Sequence, residues 1–186
     1  MALVLDGNGP ITGLSSLTFP SSNGSITGLA NAAIPATKIG AGAALQIVYS
    51  TITSGFSTSS TSYVASTNGN QVTITSTVAN SKFLVLNFVP AQLPDGNILG
   101  QTSIRSSVDS YASNLAEVLH ANYGAGNGGW KMTAPLTVLH SPGQPAGTAI
   151  TYKGYLRVAG GSNSIYWPDN WGQSFSLGFY VMEIAS

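Results

Sequence analysis

The chain has 186 residues, 22 of them Gly and 42 Ser or Thr, and only 6% are charged, where about a quarter is usual. Hydrophobic residues reach 43%. That supply is enough for the core of one ordinary domain with a short appendage, and it argues against disorder of the whole chain. Six basic residues balance six acidic ones, so there is no basic excess to neutralise phosphates, and nucleic acid is not an expected partner.

There is no Cys, which removes disulfides, thiol nucleophiles and thiolate metal sites. Met1 to Pro10 holds no basic residue, so no secretory signal is expected there. No run approaches 18 uninterrupted apolar residues, so no membrane insertion is expected. A net charge of zero favours association, which points to a chain that lives inside an assembly.

Residues 1–81 carry only Asp6 and Lys38 as charges. Within residues 1–43, Asn8-Gly9-Pro10-Ile11-Thr12-Gly13-Leu14 returns fifteen residues later as Asn23-Gly24-Ser25-Ile26-Thr27-Gly28-Leu29. Each copy joins a turn dipeptide to a short β-branched stretch. Two copies do not make a solenoid. Ile11, Leu14, Leu17, Phe19, Ile26, Leu29, Ile34 and Ile39 are too many apolar residues for a free linker. The segment is read as an extended arm that packs against copies of itself.

From Ala44 the pattern is that of strands. Leu45 to Tyr49 is a short one. Asn68-Gly69 predicts a hairpin turn before Gln71 to Val78, where Val72, Ile74 and Val78 alternate with threonines. Lys82 to Val89 is a continuous apolar run of the kind buried on both faces, ended by Pro90. Ile98 to Arg105 is another candidate. Residues 110–121 fit a helix through Tyr111, Leu115, Val118 and Leu119, or equally a strand. Ile150 to Val158 alternates, with Ile150, Tyr152, Leu156 and Val158 on one side and Thr151, Lys153, Tyr155 and Arg157 on the other. Phe175 to Ile184 closes the chain. About eight strands separated by turn signals predict an all-β protein. Its residues 44–186 form a β-sandwich or jelly-roll head, and residues 1–43 a short extended attachment or trimerisation arm.

Catalytic material is thin. His120 and His140 are far apart in sequence without a metal-binding spacing, and each is expected on the surface or in a loop. No catalytic residue, metal site or cofactor is expected. There is no G-x-S-x-G elbow or Walker lysine. Gly124-Ala125-Gly126-Asn127-Gly128-Gly129 matches a dinucleotide fingerprint only in letters, because Pro135 blocks the helix that would hold a phosphate. A glycosidase pair would have to come from Asp95, Asp109, Glu117, Asp169 and Glu183. The ligand-binding candidates are two aromatic loops. One holds Tyr123 and Trp130. The other holds Tyr166, Trp167, Asp169, Asn170 and Trp171, where rings can cover a sugar face and Asp169 and Asn170 can hydrogen-bond hydroxyls. The plainer alternative for both loops is a subunit contact.

Met1-Ala2-Leu3-Val4-Leu5-Asp6-Gly7, Ile26-Thr27-Gly28-Leu29 and the stretch Ile34 to Val48 resemble the N-terminal region of tail-fibre-like virion proteins of tailed phages, especially of cyanophage and marine-phage type. Ser81-Lys82-Phe83-Leu84-Val85, Leu139-His140-Ser141-Pro142-Gly143 before Ile150, and the ending Val181-Met182-Glu183-Ile184-Ala185 resemble the same family. Residues 95–135 match nothing in it. The resemblance implies a homotrimeric virion structural protein with a C-terminal β-sandwich head, and the near-uncharged composition argues the same way. The expected role is a short tail fibre or baseplate fibre that contacts the host surface. Residues 1–43 would bind other virion proteins, and the head a host surface glycan. The same architecture would serve a capsid-exterior head fibre or decoration protein. A carbohydrate-active enzyme such as a depolymerase, or a bacterial lectin, is a more remote reading.

Overall fold

The computed structural model describes residues 40–52, 54–67, 69–88, 91–93, 98–122, 130–132, 135–160, 164–167 and 178–186. The arm expected over residues 1–43 therefore lies outside the described residues except for its last four. Of these, Gly42 donates its N–H to Ala185 O at 2.9 Å, and Ala43 O accepts from Ala185 N at 2.9 Å.

Among the described residues the protein is all-β, and every strand pairing is antiparallel. The first sheet runs in the order β1 (Ala44–Thr51), β13 (Gly178–Ile184), β5 (Lys82–Asn87), β10 (Leu136–His140). The second runs β3 (Val64–Ala65), β11 (Ala149–Gly160), β7 (Ile98–Ser106), β8 (Ala116–Asn122), and β4 (Gln71–Thr75) also pairs with β11. A third, smaller sheet runs β2 (Phe56–Thr58), β12 (Ile165–Trp167), β6 (Ala91–Leu93), β9 (Trp130–Met132).

Period-2 alternation decides which side chains go inside. Val72, Ile74, Ile104, Ile150 and Tyr152 of the second sheet meet Phe83, Val85, Leu136, Phe179 and Val181 of the first in one core. Leu156 and Val158 continue along β11 into a separate cluster with Ala91, Leu93, Ile165 and Trp167 of the third sheet. One strand thus walls both cores. Between them sits Gly154, where a Cβ would collide with Nδ2 of Asn70 and Cη2 of Trp167. The absence of a side chain lets Trp167 reach the strand.

Three sequence expectations change, and one open reading is decided. Asn68-Gly69 does not turn a hairpin. β3 and β4 lie end to end along the same edge of β11, and the chain between them leaves the sheet and returns around Gly154. Ser66 N donates to Gly154 O at 3.0 Å, and Gly154 N to Asn70 O at 2.9 Å. Gly69, at φ +81, supplies the left-handed conformation of that excursion; Asn68 is outside the described residues. Residues 110–121, read as either helix or strand, take the strand over Ala116–Asn122. A 3₁₀ turn, Ser107–Asp109, and two left-handed residues, Ser110 and Tyr111, lead into β8. The run from Lys82 is not buried on both faces. Phe83, Val85 and Asn87 are buried, while Leu84 and Leu86 are only half-buried on the outer face. His120 and His140 stand on strands rather than in loops, and His120 is fully enclosed.

Glu183 was not anticipated as an interior group. It occupies a core-facing position of β13 and is 0% exposed. Neutral donors surround its carboxylate: Gln46 Nε2 at 2.6 Å, Ser81 Oγ at 2.6 Å, Thr77 N at 2.8 Å and Thr77 Oγ1 at 2.9 Å. Burial by itself would raise its pKa, but the hydrogen bonds from Ser81, Gln46 and Thr77 prevail and hold it below the ordinary value. The arrangement fastens the turn between β4 and β5 to the last strand.

Candidate functional site

The two aromatic loops singled out in the sequence lead into one sheet. β9 and β12 both flank β6, where Trp130 is paired with Leu93 and Tyr166 with the neighbouring Gln92. Tyr166 is 40% exposed and presents its ring to solvent. Trp167, the next residue, points the opposite way and is 1% exposed in the second core, with Phe56 at 6.4 Å between ring centroids. It has no open face for a sugar, so its place among the ligand residues is corrected to a core position. The reason is the pleat: adjacent residues on a strand cannot share a face. Tyr123, Asp169, Asn170 and Trp171 lie outside the described residues, and of Trp130 only the backbone pairing is described.

The two large sheets have outer faces of opposite character. On the first, cross-strand register aligns Tyr49, Tyr180, Leu86 and Thr137 in one row and Ile47, Met182, Leu84 and Leu139 in the next. Ile47 is 59% exposed, Tyr49 67% and Leu139 55%. Tyr180 stacks on Tyr49 at 5.9 Å and meets Phe88 edge-on at 6.0 Å. Among the described residues Lys82, beside Ile184 at one end, is the charged member of this face.

On the second sheet, Lys153 lies opposite Arg105, Tyr155 opposite Ser103 and Arg157 opposite Gln101. Glu117 of β8 follows across from Ser103. The Arg105 guanidinium sits 4.5 Å from the Tyr63 ring centre and 4.8 Å from that of Tyr155, and Arg157 covers Tyr63 at 4.7 Å. Lys153 Nζ lies 5.4 Å from the Tyr111 ring. Hydrogen bonds fix the cluster. Arg105 donates through Nε to Asn114 Oδ1 at 2.8 Å and through Nη1 to Tyr111 O at 3.0 Å. Arg157 donates to Gln101, whose amide donates to Glu117 Oε1 at 2.6 Å. Burial first, and then Glu117, push the Tyr63 hydroxyl up to about 12, partly opposed by Arg157. Among the described residues that hydroxyl has no hydrogen-bond partner of sound geometry, so Glu117 acts on it as a nearby charge.

This tyrosine–cation cluster was missed in the sequence. The polar side of Ile150 to Val158 contains three of its members, but Arg105 and Tyr63 join only through the pairing of β7 and β3 with β11. The second sheet also encloses His120, on β8. Its Nε2 is 3.0 Å from Thr102 Oγ1, and burial lowers its pKa to about 4. His140 Nδ1 lies 2.9 Å from the Tyr152 hydroxyl. Of the five candidate carboxylates, Glu183 faces the core, Glu117 is exposed on the other sheet and Asp109 is exposed in the 3₁₀ turn, while Asp95 and Asp169 lie outside the described residues. Among the described residues no three His, Cys, Asp or Glu side chains gather as a metal set, and no helix is long and apolar enough to cross a membrane.

No family model matches the chain, and no curated protein matches it. Among solved structures, the fold is similar to a chain in the structure of infectious bursal disease virus Gx strain, at 13% identity and a TM-score of 0.34. The match covers 75% of this chain and 37% of the viral one, so this chain spans well under half the length of the protein it matches.

Proposed function

We propose that the chain is a structural subunit of a phage virion, a homotrimeric short tail fibre or baseplate fibre whose head contacts the host and which performs no chemistry. The observation that carries this reading is the outer face of the first sheet. Four strands offer a contiguous, almost uncharged apolar field that a lone soluble subunit would leave in water. A neutral face suits a second copy of itself, because no like charges are brought together when two such faces meet. The occupants are the other copies of this chain.

The strand order supports a jelly roll for the head. Setting aside the third sheet and taking β3 with β4 as one edge, eight strands remain. The chain passes from the first sheet (β1) to the second (β4), back (β5), across (β7, β8), back (β10), across (β11) and back (β13). Two four-stranded sheets filled in this interleaved way are the arrangement of a double Greek key. The resemblance of residues 1–48 to tail-fibre-like proteins supports attachment to the particle through the arm.

Light scattering on the full chain tests the assembly. The expected mass is three times 19.0 kDa, and a monomer at micromolar concentration overturns the trimer. A cryo-EM map of the particle tests the location. Density for the head at the tail or baseplate is expected, whereas density on the capsid exterior assigns it to decoration.

A further inference from the structure

We infer that the outer face of the second sheet is a binding site for a carboxylate-bearing saccharide, with Lys153, Arg105 and Arg157 as the groups that meet the carboxylates. The site is separate from the aromatic loops and from the apolar face. It needs nothing from the virion reading, so its failure would leave that reading where it stood.

Charge placement is the first argument. The whole chain has six basic residues, and three of them stand on this one face. Lys153 and Arg105 are direct cross-strand neighbours, a pairing of like charges that disfavours the sheet. Glu117 is the carboxylate on the face among the described residues, and its oxygens are engaged by Gln101 and Asn114. The cluster therefore keeps an excess of positive charge in a protein whose formal charge sums to zero. An anion laid across it relieves the repulsion.

Preorganisation is the second. Long cationic side chains on an exposed sheet normally sample many rotamers and lose that freedom when they bind. Here Tyr63 and Tyr155 hold Arg105 between two rings, Tyr63 also carries Arg157, and Tyr111 carries Lys153. The tyrosines are positioning residues. Tyr111 does this from a left-handed backbone, φ 63, a conformation that bulky residues rarely adopt and that persists where surroundings enforce it. From there its carbonyl accepts from Arg105, and its ring lies 6.2 Å from that of Tyr155.

The chemistry of the rim selects a saccharide. Gln101, Asn114, Thr73 and Thr151 border the cations with amide and hydroxyl groups suited to sugar hydroxyls, and Thr73 and Thr151 already bond each other at 2.8 Å. A nucleic acid would need a basic surface beyond three residues, and Glu117 would repel its phosphates.

The test is calorimetric titration of the full chain with trigalacturonate, with neutral galactotriose and inorganic phosphate as parallel arms. Trigalacturonate is expected to bind in the high-micromolar to millimolar range and to weaken as NaCl rises. Galactotriose and phosphate are expected to bind at least about tenfold more weakly, a difference of about 1.4 kcal/mol. Lys153→Gln and Arg157→Gln should each weaken trigalacturonate binding severalfold. Tyr63→Phe should bind like the parent, and Tyr63→Leu, checked for an unchanged melting temperature, should bind less well because the ring face is gone. No trigalacturonate binding at about 10 mM, phosphate binding as tightly as the saccharide, or Lys153→Gln, Arg157→Gln and Tyr63→Leu variants indistinguishable from the parent would each overturn the assignment.

Discussion

The two outer faces of the head flank the same core and come from strands of the same antiparallel design, yet one is apolar and the other is laced with tyrosines and cations. Inner faces are alike in this respect, since both supply aliphatics and aromatics to one shared cluster. The difference outside teaches where selection other than folding has acted. Stability needs only one buried face per sheet. An exposed Tyr49 or Leu139 and a half-buried cationic cross-strand pair both cost something to the isolated subunit. The two proposals give each a cover: copies of the chain on one side, an anionic ligand on the other.

The largest effect expected is on assembly. Ile47→Asp combined with Leu139→Asp places two carboxylates in one row of the apolar face. Burying them unpaired in an interface would cost several kcal/mol, so the mass measured by light scattering should fall to that of a single chain. The far-ultraviolet dichroism should hold, because both positions are exposed. Retention of the oligomer would remove the first sheet from the interface.

Next comes His120, inside the second sheet. Its folded pKa of about 4 lies below the unfolded 6.5. The fold binds the neutral imidazole better, so its stability is complete above pH 6.5 and is lost as pH falls from there towards 4. A shift of that size corresponds to about 3 kcal/mol. Denaturant midpoints measured from pH 7.5 to 4 should drop accordingly, and His120→Gln should flatten the slope. Glu183, inside the first sheet, has the same sign in a lower window. Its pKa is depressed in the fold, so its contribution is present above the ordinary carboxylate value and disappears as pH falls through the folded one. Glu183→Gln should lower stability by about 2 kcal/mol at neutral pH, because an amide cannot accept from all four donors at once. The smallest effect is outside again. Tyr155→Leu removes one ring from Arg105 and should cost under about 1 kcal/mol in a thermal melt.

The contrast between the faces was only half legible beforehand. β4, β11 and β13 follow from alternation, because Val72 and Ile74, or Ile150 and Tyr152, mark an inside that nothing contradicts, whereas β5 showed as an unbroken apolar run whose outer face stays half-buried. β8 was ambiguous since its polarity is inverted. Leu119 faces water and His120 faces the core, so a period-2 reading fails there while Tyr111 and Leu115 mimic a helical stripe. Trp167 was taken for a ligand residue because its neighbours, Tyr166 and Pro168-Asp169-Asn170, have loop composition. Its burial depends on the missing Cβ of Gly154, a residue thirteen positions earlier. The tyrosine–cation cluster is a product of register between β3, β11 and β7, and register between distant segments leaves little trace in a single chain.

β11 has a thermodynamic consequence of its own. Ile150 and Tyr152 belong to one cluster and Leu156 and Val158 to the other, on one uninterrupted strand. Neither cluster can lose its wall while the other keeps it. Local opening should therefore spread past Gly154 in both directions, and amide protons on the two halves of β11 should exchange with the same opening free energy. A tug on the third sheet, where β9 and β12 flank β6, would then be resisted by the whole head as a single mechanical body.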